Sequence, residues 1–404
     1  MLTGLLVLFT VLLLWQFLGY PLFMSLMYRK HKKSLPDKDY SYQPFISIIV
    51  PAYNEEHMIN QRIENLLSQA YPKDKFEVIV IDSGSTDTTL EIAKVFEKDE
   101  PNVRVLEEGE RRGKASAINL GKSYAKGEII LVTDANTVFD VNVLREIAPH
   151  FRNLNIGAVG GRFVLSNVEN ELVRASSFYW ELESLMRRGE SALDSACLFH
   201  GEINAWRKDV VEADPGSLAE DLDMAIKIRK QGYKIVYEPD AIAYEPGPTT
   251  KKEQIVQKKR ATIGTIQSFF KHKRYLWLPG DKYSGFIFPS HKTLQILSPY
   301  FLLGILATFS TLLVLQQFVP STAYILAAGA LFLLSLTILN KELSETRTIH
   351  DSVAKVALPS NLLNILLYVL LHEYIILLAW KDFVFGNYAV TWEKAESTRI
   401  LKDL

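Results

Sequence analysis

Cysteine is almost absent from this chain, and neither sign of charge is in excess. Cys197 is the only cysteine among 404 residues, so an intramolecular disulfide framework is excluded. Lys and Arg number 45 against 46 Asp and Glu, which leaves a formal net charge of -1. A nucleic-acid-binding domain carries a basic excess, and we therefore expect no nucleic-acid partner. The length is sufficient for two or more domains, and no internal repeat or low-complexity segment interrupts the middle of the chain.

Long uncharged segments near both ends of the chain predict membrane insertion. Residues 2–27 carry no charge and are long enough for a bilayer, which needs about 20 apolar residues. This segment has neither a basic start nor a small-residue cleavage site, which favours an anchor over a cleaved signal peptide. A basic cluster follows at residues 28–33. By the positive-inside rule, this cluster places the middle of the chain in the cytoplasm.

Two further uncharged segments, 293–319 and 321–339, predict a transmembrane hairpin. The polar residues 341–355 are then expected back in the cytoplasm. A fourth apolar segment, 358–380, contains a His-Glu pair, which is costly in the middle of a bilayer unless it is paired or faces a cavity. The charged carboxyl tail favours the cytoplasm, so the sequence leaves open whether this segment spans the membrane.

The charged middle of the chain has the alternating pattern of an α/β domain. Strands are predicted at 45–50, 76–81, 103–106 and 128–132, with helices between them at 55–69, 86–98 and 114–126. Strands separated by helices of this length predict a parallel sheet with helices on both faces. Farther along, the pattern predicts a helix after residue 141, a strand at 156–165, a helix at 169–194 and a strand at 233–237.

A charged helix is predicted at 249–274, and its end turns aromatic and basic from Phe269 onward. This combination suits the headgroup layer, so we expect an amphipathic helix on the membrane surface, with a solvated helix end as the alternative. The predicted division of the chain is an N-terminal transmembrane helix (1–28), a basic linker (29–44), an α/β domain (45–248), amphipathic or interfacial helices (249–290), a transmembrane hairpin (291–340), an interfacial segment with the fourth apolar helix (341–386) and a tail (387–404).

The stretch from Ile129 to Thr137 has the strongest chemical signal. Its apolar run predicts a fully buried strand that ends at Asp134, with Asn136 two places on. Ligands of an open α/β sheet lie beyond the carboxyl ends of its strands, where Asp134 is expected. An Asp-x-Asn pair there suits a divalent cation that is shared with a phosphate. The alternative is that the two side chains form an Asx turn.

Polar motifs also follow the first two predicted strands. Pro-Ala-Tyr-Asn-Glu occupies residues 51–55, and Asp-Ser-Gly-Ser-Thr-Asp occupies residues 82–87, where a helix opens. The N-terminus of that helix favours an anion or an acidic cap. Acidic or amide side chains at the ends of successive strands predict a pocket for a polar ligand that bears phosphate.

The order of these motifs resembles a family 2 glycosyltransferase with the GT-A fold. Gly113-Lys114, Thr133-Asp134-Ala135-Asn136 and Glu220-Asp221 complete the set, and the similarity runs from about residue 45 to about residue 260. With an anchor in front and apolar helices behind, the layout is similar to a small cellulose-synthase-like membrane enzyme. Hyaluronan and chitin synthases and the archaeal membrane mannosyltransferases of lipid-linked glycan assembly share this layout. Residues 45–248 would be the catalytic domain.

The resemblance implies a role for each matching residue. The nucleotide-sugar donor would be bound by Ala52, Tyr53, Glu55, Asp82, Lys114, Asp134, Ala135, Gln257 and Arg260. Asp134 and Asn136 would approach Mg²⁺ or Mn²⁺, although Asn136 stands where the family more often has a second Asp. Gly201, Glu202 and Glu220 would lie near the acceptor.

Asp221 matches the catalytic base of the family, which deprotonates the acceptor hydroxyl. The alternative for Glu220-Asp221, a cap that complements a helix dipole, is compatible with that role. Gln257 and Arg260 correspond to the Gln-x-x-Arg-Trp motif, but Ala261 replaces its Trp. We expect His200, which directly precedes Gly201 and Glu202, to be packed and not catalytic.

These features predict an inverting, metal-dependent enzyme at the cytoplasmic membrane face. It would move one sugar, mannose or glucose, from a GDP- or UDP-sugar to a lipid-linked saccharide, because three or four membrane helices leave little room for a polymer channel. The alternatives are a processive polysaccharide synthase, a polyprenyl-phosphate sugar synthase and, in a different class, a non-catalytic membrane scaffold.

Overall fold

The computed structural model describes residues 1–32, 38–277, 280–315, 362–389 and 396–399, together with the single positions 329, 337–339 and 341. Eight strands occur in the described residues: β1 (Ile46–Ala52), β2 (Phe76–Asp82), β3 (Val103–Glu107), β4 (Ile129–Val132), β5 (Val138–Phe139), β6 (Ile156–Leu165), β7 (Asn204–Arg207) and β8 (Lys234–Glu245).

The helices of these residues are α1 (Leu2–His31), α2 (Ile59–Leu67), α3 (Thr89–Asp99), α4 (Lys114–Tyr124), α5 (Val143–Ile147), α6 (Glu171–Leu193), α7 (Glu220–Lys230), α8 (Lys251–Lys271), α9 (Lys273–Trp277), α10 (Tyr283–Val314) and α11 (Leu362–Phe385). Short 3-10 turns occupy Lys73–Lys75, Ala148–Arg152 and Glu396–Thr398. Helices α1 and α10 contain π-helical segments.

All eight strands form one mixed sheet in the order β3-β2-β1-β4-β7-β6-β8-β5. Strands β3, β2, β1 and β4 are parallel, as the alternating pattern predicts. Strand β7 runs antiparallel to both β4 and β6. It was not predicted, because its four residues, Asn-Ala-Trp-Arg, have too short a pattern to indicate a strand.

Apolar side chains from alternate strand positions build a core on each face of the sheet. Ile48 and Val50 of β1 pack with α2, α3 and α5, whereas Ile49 packs on the other face with α4 and α7. The prediction of helices on both faces is therefore confirmed. The two cores fix the strand ends that carry the polar motifs.

Strand β8 is longer than predicted, because it continues from residue 237 through Pro239 to Glu245. Its register with β6 jumps from Gly161–Glu238 to Arg162–Ile242, which marks a bulge at residues 239–241. A bulge tolerates proline, since the missing N–H is not needed there. Because β8 continues this far, Glu245 lies at the same edge of the sheet as Asp134.

Two helices, α1 and α10, are long and apolar enough by length and composition to cross a membrane. Helix α10 begins ten residues before the predicted start of the hairpin and includes His291 and Lys292. These polar residues are buried because Glu183 and Glu190 of α6 pair with them. Most of the second predicted hairpin helix, 321–339, and the polar segment 341–355 lie outside the described residues.

The fourth apolar segment forms α11, and its costly carboxylate has a partner. Ser298 of α10 donates to Glu373, with oxygen-to-oxygen distances of 3.0 and 2.8 Å. His372 contacts the ring of Tyr179 at 5.7 Å between centroids. The sequence leaves open whether this segment spans a membrane, and the contacts of α11 do not test it.

Helix α1 packs closely against α6 of the sheet domain. Tyr20 donates to Glu190 at 2.7 Å, and a Cβ atom at Gly189 would overlap the backbone carbonyl of Met24. Only glycine allows the two helices to approach this closely. The apolar N-terminal helix and the sheet domain therefore form a joined unit.

We expect Gly189→Ala to lower the thermal unfolding temperature of the full chain in detergent. Alanine is the better helix former, but forcing a methyl group into a filled interface typically costs about 1–3 kcal/mol. The matched control is Gly4→Ala, since a Cβ atom there meets nothing within 4 Å. Equal unfolding temperatures for the two variants would contradict the close packing of α1 on α6.

Candidate active site

A cavity of about 540 Å³ lies beyond the carboxyl ends of β1 and β4 and extends along α6 and α8 to α10 and α11. Thirteen of the fourteen residues predicted for the site line it: Ala52, Tyr53, Glu55, Lys114, Asp134, Ala135, Asn136, Gly201, Glu202, Glu220, Asp221, Gln257 and Arg260. These residues are up to 208 positions apart, and the sheet edge collects them.

Asp82 is the exception, since its neighbour Ser83 lines the cavity in its place. Its side chain is buried, and one carboxylate oxygen accepts from the backbone N–H groups of Gly84 and Ser85, both at 3.1 Å. Asp82 thus holds the turn after β2. Its predicted contact with the donor stays a prediction.

Lys114 and Asp134 form an ion pair at the centre of the cavity. The Lys114 Nζ lies 2.5 Å from Asp134 Oδ1 and 3.7 Å from Glu220, and it donates to the carbonyl of Gly201 at 3.2 Å. The turn after β4 is closed by a backbone bond from Thr137 to Asp134 (3.4 Å), which leaves the Asp134 carboxylate facing Lys114. Burial alone would lower the pKa of Lys114, but the charges of Asp134 and Glu220 raise it.

Three carboxylates could hold a divalent cation. Ligand atoms of Asp134, Glu202 and Glu245 all lie within 4.8 Å of one another. Carboxylate oxygens are the ligands that Mg²⁺ and Mn²⁺ prefer, so this set fits the implied metal. The stretch around Asp134 supplies only one formal charge, since Asn136 is neutral, and Glu202 and Glu245 add the others. Glu245 was missed because no local motif marks it.

Glu245 lies in a site that resists its ionisation. Burial is the largest cause, and the nearby charges of Glu202 and Asp134 add to it, which raises the pKa of Glu245 to about 8. Thr137 donates to Glu245 at 3.2 Å. A bound cation would favour the ionised form by removing this repulsion.

Glu202 is held by its neighbour His200. Burial would raise the pKa of Glu202, but the hydrogen bond with His200 and the charge of Lys114 lower it. His200 Nδ1 lies 3.3 Å from Glu202, and its ring packs between Trp180 (4.6 Å) and Phe163 (5.2 Å). His200 is buried as expected, and it also orients a carboxylate.

Asp221 lies in the first turn of α7, where its own carboxylate accepts from Leu222 N at 2.8 Å. The N-cap residue of α7 is Ala219, so Asp221 complements the helix dipole from the first turn, and its side chain also lines the cavity. Burial, followed by the like charge of Glu220, raises the pKa of Asp221 to about 7. A carboxylate with such a pKa is suited to proton transfer near neutral pH.

Two further cations face these acids. Arg260 on α8 lies within electrostatic reach of Glu220, Asp221 and Asp134, while burial is the main cause that lowers its pKa. The guanidinium of Arg111 lies 4.3 Å from the centre of the Tyr53 ring. Arg111 precedes the Gly-Lys motif and was not predicted, since a lone Arg in a loop has no distinctive pattern.

A short segment near the carboxyl end of the chain contributes to the cavity wall. Arg399 donates to both carboxylate oxygens of Glu55, at 3.0 and 3.3 Å. Thr398 is buried beside it, and Ser397 donates to Glu253 at 2.7 Å. The Arg399–Glu55 contact joins residues 344 positions apart, a distance over which sequence patterns carry no signal.

Comparisons with known proteins agree with this geometry. Residues 47–213 match the family model described as glycosyl transferase family 2. The Bacillus subtilis protein named probable glycosyltransferase YdaM is 29% identical over 252 residues, which cover 57% of this chain and 59% of that protein. The β-monoglucosyldiacylglycerol synthase of a Nostoc species is 28% identical over 236 residues, which cover 57% and 50%. The chain thus matches about half to three fifths of these relatives.

A solved structure is similar over nearly the whole chain. It is titled as the mannosyltransferase PcManGT from Pyrobaculum calidifontis in complex with GDP-Man and Mn²⁺, and it covers 96% of this chain and 100% of its own, with a TM-score of 0.67 and 24% identity. The mixed sheet and the cavity at its strand ends are those of a GT-A nucleotide-diphospho-sugar transferase fold. Residues 47–213, which run from β1 to β7, resemble glycosyltransferase family 2.

We expect Glu245→Gln to weaken Mn²⁺ binding by at least about tenfold. Removing a residue that only supports a metal ligand already costs about this much affinity, and removing a ligand itself should cost no less. The affinity is measured by titrating the protein with Mn²⁺ and detecting the free Mn²⁺ by electron paramagnetic resonance. The control is Glu146→Gln. Glu146 belongs to a second group of carboxylates, with Glu238 and Asp240, but Lys38 pairs with all three, so this group should not bind the metal. Equal loss in both variants would refute the assignment.

Proposed function

We propose that this chain is an inverting glycosyltransferase that moves one hexose from a nucleoside-diphospho-sugar to a membrane-bound acceptor. The observation that carries the proposal is one cavity in which Lys114 and Arg260 lie beside Asp134, and Asp221 faces the same space. Cations beside a candidate metal site suit a diphosphate, and a carboxylate with a raised pKa suits a base. A non-catalytic scaffold would not need this combination.

The residues at the ends of β1, β2 and β4 would bind the donor. Ala52, Tyr53 and Glu55 form one wall of the cavity, and Arg399 fixes the Glu55 carboxylate. The similar structure of PcManGT in complex with GDP-Man and Mn²⁺ supports GDP-mannose as the donor, with glucose and UDP as the alternatives. Gln257 and Arg260 would face the leaving nucleoside diphosphate, for which the planar fork of arginine is well suited.

The reaction needs one proton transfer and one displacement. The acceptor hydroxyl oxygen forms a bond to the anomeric carbon, and its proton passes to the Asp221 carboxylate. The bond between the anomeric carbon and the diphosphate oxygen breaks, and the nucleoside diphosphate leaves with both electrons. Lys114 and Arg260 stabilise the charge that develops on it. Attack opposite the leaving group inverts the anomeric configuration.

Asp134, Glu202 and Glu245 would hold the divalent metal, with Asn136 beside them as a neutral oxygen donor. Bound there, the metal supplies positive charge to the diphosphate. Two of these carboxylates are oriented by side chains of the chain itself, since Lys114 pairs with Asp134 and His200 pairs with Glu202. Glu202 was expected near the acceptor, and its contacts support a place on the metal side.

The acceptor is proposed to be a lipid-linked saccharide at the cytoplasmic membrane face. Helices α1 and α10 are the candidate spans, and basic residues end α1. A relative named as a synthase of a glucosylated diacylglycerol supports a lipid acceptor. The described residues contain two candidate spans, and we propose the addition of single sugars because so few helices leave little room for a polymer channel. This same feature argues against the processive alternative.

A donor screen tests the proposal. Purified full chain in detergent, with Mn²⁺ and a membrane-lipid extract, should release nucleoside diphosphate from one GDP- or UDP-sugar and attach one hexose to a lipid, seen by mass spectrometry. Asp221→Asn should lower the rate by about 10²–10⁴-fold, since general-base help has this size. A ladder of polymer products, or an unchanged rate in Asp221→Asn, would contradict the proposal.

The pH dependence of kcat/KM should report the Asp221 carboxylate. Only the ionised form accepts a proton, and its raised pKa is about 7. We therefore expect kcat/KM to rise with pH up to about 7 and then to level off, at saturating Mn²⁺. The residual activity of Asp221→Asn should lack this rise. A profile that is flat from pH 5.5 to 8 in the unmodified enzyme would reject Asp221 as the base.

A further inference from the structure

The end of the cavity opposite the carboxylates differs from them in chemistry, because a lysine lines it. Lys258 of α8 lines the cavity, donates to the hydroxyl of Tyr368, and lies 4.2 Å from the centre of the Tyr368 ring and 6.0 Å from that of Tyr179. Among the residues that the structure describes, no carboxylate forms an ion pair with Lys258. A half-buried ammonium with aromatic partners alone is a site for an anion.

The surroundings of Lys258 contain paired charges. Lys292 of α10 also lines the cavity, and it is joined to Tyr179 through Gln295 by contacts of 3.1 and 3.2 Å. The nearby carboxylate of Glu183 is shared by Lys292 (3.0 Å) and Arg187 (2.8 Å). Glu190 of the same helix pairs with His291 at 2.6 Å, so two carboxylates offset the charges of this cluster. Lys258 is then the lysine at this end that pairs with no carboxylate of the described residues.

The same end of the cavity is bordered by the apolar helices. Ile296 of α10 and Ile376 of α11 line it, next to His372. On the outer surfaces of these helices, large apolar side chains such as Leu303 and Leu370 are exposed. An anionic group bound near Lys258 would therefore have an apolar path beside it, which suits an alkyl or prenyl chain.

The two ends of the cavity are joined by an aromatic side chain. Trp180 lines the cavity, with its ring 4.6 Å from His200 on the metal side and 5.0 Å from Tyr179 on the cationic side. Trp180 thus lies between a cationic pocket and a candidate base, where its flat ring could stack against a sugar ring. The cavity thus has three parts in order: acid, aromatic and cationic.

We propose that the cationic end binds the phosphate group of a lipid-linked acceptor, with Lys258 as the main phosphate contact and Lys292 beside it. The lipid chain leaves between α10 and α11, and the sugar to be extended lies over Trp180 toward Asp221. A phosphate that joins a lipid to a sugar is a diester, which keeps one negative charge and two free oxygens that two ammonium groups can share. This inference rests on the proposed function, since the bound lipid would be its acceptor.

Direct binding tests the site without catalysis. Full chain in detergent is titrated with a polyprenyl phosphate, the matching uncharged polyprenol and inorganic phosphate, followed by microscale thermophoresis. We expect the polyprenyl phosphate to bind most tightly. Lys258→Gln should weaken it by at least about tenfold, as expected for loss of a charge-assisted hydrogen bond. Lys258→Arg should retain binding.

The matched control is Lys259→Gln, which removes the same charge from the next residue, where Lys259 pairs with Asp382 at 2.6 Å outside the cavity. It should bind the polyprenyl phosphate as the unmodified chain does. Equal affinity of Lys258→Gln and Lys259→Gln would overturn the proposal. So would a polyprenol that binds as tightly as its phosphate, or inorganic phosphate that binds as tightly as the lipid.

A second readout separates this inference from the proposed function. Mn²⁺-dependent binding of the nucleotide-sugar should be unchanged in Lys258→Gln, because Lys258 is not a donor contact. If the donor screen fails while lipid-phosphate binding depends on Lys258, the transfer reaction is wrong and the site stands. If transfer occurs but Lys258→Gln leaves both lipid binding and the KM for lipid unchanged, the site alone is wrong.

Discussion

The ammonium group of Lys114 is the charge on which the cavity depends. It lies among Asp134, Glu220 and the carbonyl of Gly201, which come from β4, α7 and the loop before β7. Without a cation, buried carboxylates this close together would repel one another and take up protons. Burial raises the pKa of Asp134, and the charge of Lys114 opposes this shift in part. A divalent metal would add positive charge to the same balance.

A gradient of charge along one cavity connects the two proposals. Carboxylates gather at the strand ends, where Glu202 and Glu245 join Asp134, and lysines gather where α8 meets α10 and α11. The first end suits a metal and a diphosphate, and the second suits a phosphate on a lipid. Asp221 lies near the carboxylates of the first end, and Trp180 joins the two ends, so a single cavity can bring a water-soluble donor to a membrane-bound acceptor.

Sequence patterns could predict the parts of this site that lie on strand ends. The apolar runs of β1, β2 and β4 fix where Tyr53 and Asp134 emerge, because parallel strands end at one edge. The same reasoning could not reach Glu245, since it depends on β8 continuing through a bulge at Pro239. Arg399 and Lys258 were missed because their partners, Glu55 and Tyr368, are 344 and 110 positions away.

The anomeric configuration of the product tests the central claim most directly. A single displacement assisted by Asp221 must invert the configuration of an α-linked nucleoside-diphospho-sugar, since the acceptor oxygen attacks opposite the diphosphate. Proton NMR of the purified glycolipid resolves the anomeric signal of the transferred hexose. The account predicts a β-linked sugar, and an α-linked product from the same donor would contradict it.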